Sequence, residues 1–421
     1  MFQRYFSRSP FISFLPLALL YAVVVMVRGS EVVYGDEERY LKLAENLCRG
    51  FYSPPPPNIN LWSGPGYPLI VAPFIYFGLS QFWITILNVV FQYLSVVFLF
   101  KALRILADLR IAAIASIGWA LMYNAWFWEM PLVSTEPLTV CLCSMIAFTL
   151  LKSNLSPEKK TNNRFVFLTG ILLGYLVLTK IIFGYVLLAT LGISLIAFLM
   201  KRTVIRSQLM KISLYALLIN APYLIYTHSL TDKLFYWGNS GGLSLYWMST
   251  PFPNETGDWH GLELYQPAQK NSEVAINHQK DFEYLSQYTG VQLDDELKKI
   301  AVQNIREHPF KYLKNCMANA SRLLFDAPYY FASPTKMYVF RILPMLVFLP
   351  LLLFAIWKLL TNFKNVPGTL RYLILLLLFY FGLTVLLSAY HRQFYVMIPW
   401  MIILIVYVFS FRKKTTLNQG L

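Results

Sequence analysis

The sequence is poor in charge: charged residues make up only 14% of its 421 positions, against 57% hydrophobic. No soluble domain of this length needs so large an apolar share, and the chain reads as a polytopic membrane protein. Cysteine is scarce as well, with four in the chain, and none has the spacing of a zinc module. Cys141 and Cys143 fall inside an apolar run and read as packing residues. Cys48 and Cys316 fall in segments assigned to one side, where a disulfide and two free thiols are both open. There is no internal repeat and no low-complexity tail. No small-residue cleavage pattern follows the first apolar run, since Arg28-Gly29-Ser30-Glu31 is a poor signal-peptidase site, so that run reads as a retained helix. The net charge of +15 comes without any nucleic-acid-binding signature. The basic residues sit in short clusters between apolar runs, as the positive-inside rule expects.

Apolar runs predict ten spans, near 11–28, 81–100, 111–128, 136–151, 165–180, 183–200, 212–228, 338–360, 372–388 and 394–411. Arg4 and Arg8 place the N-terminus in the cytoplasm, and Arg412-Lys413-Lys414 do the same for the C-terminus. Lys159, Lys160, Lys201 and Arg202 fall between spans on that side. The expectation is therefore an all-α, multi-pass protein of the cell (inner or plasma) membrane, with both termini cytoplasmic. Three parts follow: an N-terminal membrane domain, 1–228, whose first outer loop is 29–80; an outer region, 229–337; and C-terminal membrane helices, 338–421. Asp294 to Phe325 has helical periodicity with a break at Pro309. The preceding stretch is rich in Gly, Trp and Tyr, including Trp237, Trp247 and Trp259. Such aromatics stack on sugars or anchor a membrane interface, and the interface reading is preferred.

One stretch organises the rest, Tyr34 to Pro73. Asp36, Glu37 and Glu38 open a short amphipathic helix in which Tyr40, Leu41, Leu43, Ala44 and Leu47 share a face, while Arg39, Lys42, Glu45 and Arg49 take the other. Asp36 is also placed to be the N-cap. Gly50 and Pro54 to Pro57 end the helix. Gly66 to Leu79 is apolar but short and broken by Pro68 and Pro73, and it reads as interfacial or re-entrant.

Four further charges lie at predicted span ends on the outer side. Glu136, in Ser134-Thr135-Glu136-Pro137-Leu138, suits a helix start, with Glu129 a lesser companion. Lys180 stands at the end of a span, where the positive-inside rule does not call for a lysine, although a snorkelling residue would look the same. Arg392 follows His391 and precedes Gln393-Phe394. Carboxylates suit general-base work, and cations, arginine above all, suit phosphate. With Asp36 they make one set facing one side of the bundle. His260 reads as a surface histidine.

The acidic loop, Pro65-Gly66-Tyr67-Pro68, Glu136-Pro137, Lys180 and the arginine before the last span together resemble the GT-C glycosyltransferases. Within these the pattern is similar to the protein O-mannosyltransferase and lipid A aminoarabinose transferase group (glycosyltransferase family 39-like). The resemblance implies an inverting enzyme that moves a sugar from a polyprenyl-phosphate donor to the hydroxyl of a lipid, glycan or protein acceptor on the extracytoplasmic face. It implies Asp36 as general base with Glu37 as its neighbour. Glu136 would position the acceptor, Lys180 and Arg392 would hold the phosphate with His391 assisting, and Tyr67 belongs to the proline-aromatic motif. The aminoarabinose transferases carry a lysine just before that motif; Ser63 or Gly64 stands there instead. A divalent cation is left open, with Asp36 and Glu136 as its ligands, and no other cofactor is expected. The rival classes are a flippase of lipid-linked sugars, for which broken helices and repeats are expected, and a catalytically inactive glycan-assembly subunit.

Overall fold

The computed structural model describes residues 6, 9–29, 33, 35–153, 162–200, 204–261, 272–326 and 336–418. Arg4, Arg8, Lys159, Lys160, Lys201 and Arg202, used above for orientation, lie outside the described residues, as does the end of the outer region, 327–335. Among the described residues every regular element is helical. Helices of eight residues or more are numbered α1 (Leu15–Arg28), α2 (Asp36–Cys48), α3 (Gly66–Tyr76), α4 (Gln81–Leu106), α5 (Leu109–Ala120), α6 (Glu136–Lys152), α7 (Asn163–Thr179), α8 (Ile182–Met200), α9 (Val204–Thr231), α10 (Gly241–Met248), α11 (Gly290–Glu307), α12 (Pro309–Phe325), α13 (Lys336–Thr361), α14 (Gly368–Leu387) and α15 (Ile398–Asn418).

Among the described residues, five helices are long and apolar enough to cross a membrane: α4, α8, most of α9, most of α13, and α14. The other five expected spans correspond to the shorter helices α1, α5, α6 and α7 and to α15. The protein is an all-helical polytopic membrane protein. α6 is buried on nearly every side and packs against α4, α7 and α15. A helix that is apolar all round belongs at the centre of such a bundle. α9 lies along α7, and α8 joins them to α14.

One span differs from its expectation. Helix was predicted over 111–128, but α5 stops at Ala120 and the chain then turns irregularly to Thr135. Polar groups of neighbouring helices capture its backbone carbonyls. Tyr21 Oη donates to Ala120 O at 2.9 Å, Asn88 Nδ2 donates to Leu132 O at 2.7 Å and Met130 O at 3.1 Å, and Arg28 Nη1 donates to Phe127 O at 2.5 Å. Carbonyls satisfied this way have no need of a helical partner, so a buried loop is tolerated where free backbone would be costly. The loop carries Glu129 and ends at Glu136.

α2 and α3 form a hairpin that docks on α7. Tyr40, Leu43 and Ala44 are buried on the face that the apolar periodicity marked. Gly35, with φ +65°, is the N-cap rather than Asp36, which takes the first helical position. Two glycines allow the docking. A Cβ at Gly64 would sit 2.1 Å from Leu178 O, and one at Gly66 would sit 2.7 Å from the Thr179 N. The hairpin thus touches the backbone of α7 just before Lys180.

The outer region builds its own small core from α10, α11 and the short helix Gln279–Leu285. The predicted break between α11 and α12 falls at His308, and Pro309 opens α12. Trp237 and Trp247 are fully buried core residues rather than interface anchors. The cysteines Cys48, Cys141, Cys143 and Cys316 are all free.

Candidate functional site

The first turn of α2 presents Asp36, whose side chain is 33% exposed. Its Oδ2 accepts from Arg392 Nη2 at 2.8 Å, and its Oδ1 is ion-paired with Arg39, one turn along the same helix. Arg39 Nε in turn donates to Ser63 Oγ at 3.1 Å. Arg392 lies in the short helix His391–Tyr395 before α15, and its Nε is 3.9 Å from Glu136 Oε1. The same Glu136 oxygen accepts from Lys180 Nζ at 2.7 Å. Lys180 caps the C-terminal end of α7 in extended conformation, while Glu136 opens α6 with Pro137 in its first turn. Glu136 is almost fully buried, at 5% exposure, and a buried carboxylate needs such partners to stay charged.

Asp36, Glu136, Lys180 and Arg392 are therefore brought into one cluster from four separate elements. Three cations touch two carboxylates, so the contacting groups carry a net positive charge. Burial works against the charge on Asp36, but the guanidinium groups of Arg392 and Arg39 outweigh it and hold the carboxyl at about 2. Glu129 lies in the buried loop nearby. Burial and the Glu136 carboxylate push it up to about 7. The cations Arg392 and Lys180 suit an anionic ligand. Among the described residues, no group of three histidine, cysteine or acidic side chains is arranged to hold a metal ion.

The remaining candidates lie around this cluster. Glu37 is buried, and its Oε1 accepts from Val133 N at 2.8 Å and Gln81 Nε2 at 3.5 Å, which ties α2 to the irregular loop and to the start of α4. His391 Nδ1 contacts the Asp326 carboxylate at the end of α12. Tyr67 is buried with its ring 5.3 Å from that of Tyr40, edge to face. His260 packs on Trp247, with ring centroids 4.8 Å apart. Periodicity places Arg39 on the polar face of α2. The signal for its role was present, since residues three apart on a helix meet and Asp36 lies one turn before it.

No family model and no curated protein matches the sequence. Solved structures do match. ArnT from Cupriavidus metallidurans, bound to undecaprenyl phosphate, is 15% identical, with 94% of this chain and 77% of that chain covered and a TM-score of 0.42. The Archaeoglobus fulgidus oligosaccharyltransferase, tethered to an acceptor peptide, is 12% identical, with 94% and 49% covered and a TM-score of 0.49. The archaeal oligosaccharyltransferase AglB, in complex with an inhibitory peptide and a dolichol-phosphate, is 13% identical, with 97% and 51% covered and a TM-score of 0.48. The chain spans about half the length of the oligosaccharyltransferase.

Proposed function

We propose that the protein is a GT-C-type membrane glycosyltransferase that moves a sugar from a polyprenyl-phosphate donor to an acceptor hydroxyl. The observation that carries this reading is the half-exposed carboxylate of Asp36, clamped by two arginines beside a buried Lys180–Glu136 pair. The acceptor oxygen attacks the anomeric carbon, the bond from that carbon to the phosphate oxygen breaks, and the acceptor proton passes to Asp36. Polyprenyl phosphate leaves, and the anomeric centre is inverted.

Arg392 is central to the cycle. At rest it satisfies Asp36, and a carboxylate held near 2 is a weak base. A donor phosphate competes for the same guanidinium, with two oxygens for its planar fork. Drawing Arg392 toward the phosphate leaves Asp36 with Arg39 alone and raises its basicity when an acceptor hydroxyl is needed. Lys180 and Arg392 then stabilise the charge that builds on the leaving phosphate. Glu136 keeps both cations in place. Glu37 fixes the start of α2 through Val133, and Tyr67 packs beneath Tyr40. The donor's hydrocarbon tail stays in the bilayer, which suits a site at the extracytoplasmic edge of an inner or plasma membrane with both termini cytoplasmic.

The test is sugar transfer by wild type and Asp36→Asn in lipid nanodiscs, using radiolabelled polyprenyl-phosphate sugars and a membrane extract as acceptor. The expected result is transfer by wild type and a loss of about 10²–10⁴-fold in Asp36→Asn, with donor binding retained. Donor binding without transfer from any sugar in the wild type would favour a flippase or an inactive subunit.

A further inference from the structure

Asp36 has two faces. Its Oδ2 leads through Arg392 to Glu136 and Lys180. Its Oδ1 leads the other way, to Arg39, whose guanidinium carbon lies 5.7 Å from the centroid of the Trp62 ring. Trp62 meets Trp259 edge to face at 6.5 Å, and both indoles are half-buried at the rim of the outer-region core. Beside Trp259 stands Asp258, with a side chain 46% exposed even though it pairs at 2.9 Å with Arg322, which is 7% exposed.

This wall is held rigidly. Arg322 Nη2 donates to Thr256 O and Gly257 O, each at 3.1 Å. Asn319, one turn earlier on α12, accepts from Ala389 N at 2.9 Å and donates to Val385 O at 2.8 Å. One helix thus fixes both the 256–259 loop and the segment leading to Arg392. The loop bearing Trp62 is fixed by Asn239, which accepts from Leu61 N at 2.8 Å and donates to Ile59 O at 3.0 Å. Tyr52 Oη also donates to Ser63 O at 2.7 Å.

Indole faces are apolar, while the neighbouring, half-exposed Asp258 carboxylate offers hydrogen-bond acceptors. That combination matches a sugar ring, which has a C–H face and a rim of hydroxyls, and a few polar groups on an apolar surface are how such a ligand is oriented. We infer that the wall of Trp62, Trp259 and Asp258 binds a sugar ring of the acceptor, and hence that the acceptor is a glycan. This rests on the transferase reading above for its orientation. The leaving phosphate belongs on the Arg392–Lys180 side, and an in-line attack brings the acceptor from the opposite side of the anomeric carbon, where Arg39 and Trp62 stand.

The experiment is binding of the full chain, in nanodiscs and without donor, to an array of defined mannose-, glucose-, galactose- and rhamnose-terminated oligosaccharides. Wild type should bind a subset. Trp259→Ala and Asp258→Asn should each weaken that binding about tenfold or more, the factor that 1.4 kcal/mol makes, and Trp259→Phe should restore part of it. Binding of undecaprenyl phosphate should be unchanged in all three. No binding by wild type, or equal binding by Trp259→Ala, would overturn the inference, and transfer activity would still be judged separately through Asp36→Asn. If Trp259→Ala leaves array binding intact but raises the KM for the donor, the wall holds the donor sugar and the acceptor assignment fails. Array binding shared by wild type and Asp36→Asn, with no transfer by either, would keep the glycan site and remove the transferase.

Discussion

Arg392 Nη2 lies 2.8 Å from Asp36 Oδ2, joining residues 356 positions apart in the chain. The same guanidinium reaches toward Glu136 at 3.9 Å, so one planar group bridges a half-exposed and a buried carboxylate. Its charge is held firmly: burial opposes it, but the carboxylates of Glu136, Asp36 and Glu129 more than compensate.

Replacing Arg392 by lysine should therefore keep the charge and lose the bridge. A lysine's single nitrogen cannot reach both carboxylates as the separate Nη2 and Nε of the guanidinium do. The expected outcome is a donor KM raised about tenfold or more with a larger loss in kcat/KM, read by transfer assays across donor concentration. Wild-type kinetics in Arg392→Lys would mean that the bridge plays no part.

The Lys180–Glu136 pair should behave as a coupled unit. Lys180→Met leaves a buried Glu136 with the Thr135 hydroxyl at 3.3 Å and Arg392 at 3.9 Å but no close cation, and breaking a buried pair costs about 3–5 kcal/mol. Lys180→Met with Glu136→Gln removes both charges and should recover much of that stability without recovering transfer. Apparent melting temperatures of the wild type, both single variants and the double variant provide the cycle. Additive losses would show that the two side chains do not depend on each other.

Glu129 predicts a dependence on pH. Its carboxyl is pushed from 4.5 up to about 7. The folded protein keeps that proton over a range where the unfolded chain has released it, so this group's contribution to stability falls as pH rises from about 4.5 to about 7 and is level above. Asp36 runs the opposite way. Its value is lowered to about 2, so its contribution is present at neutral pH and is lost as pH falls through about 2. Melting temperatures of wild type and Glu129→Gln, compared between about pH 5 and 8, should converge or cross as pH falls; parallel curves would rule out the assignment.

Gly64→Ala tests the docking of the α2–α3 hairpin. The added methyl would meet Leu178 O at 2.1 Å, a backbone atom that cannot swing aside. Overpacking of this kind costs about 1–3 kcal/mol. Because the contact lies two residues before Lys180, the variant should also lose transfer activity beyond what its lowered melting temperature explains. Activity and stability equal to wild type would show that the close approach is dispensable.

The α2 helix shows how far sequence reading reached. Its apolar stripe, its acidic first turn and its stop near Gly50 follow from local rules of spacing, propensity and backbone freedom, and the helix forms over Asp36–Cys48. What the stripe could not say was that Arg39, on the nominally polar face, turns to Asp36 and Ser63. The stretch after Ala120 marks another boundary. Its composition suits a helix, and it is diverted by Tyr21, Asn88 and Arg28, residues remote in sequence whose donors compete for its carbonyls.

The sequence by itself determined that this is an all-helical membrane chain, where most of its helices lie, and which charged residues stand at helix ends. Those properties depend on hydropathy and on neighbours a few positions away. Only the tertiary structure decided the contacts within that set, with Arg392 reaching both Asp36 and Glu136 and Lys180 pairing with Glu136, that Trp237 and Trp247 are core while Trp62 and Trp259 form a rim, and that α12 braces the segment before Arg392. These relations join elements far apart in the chain through side-chain bonds a few ångströms long, and periodicity has no term for such distances.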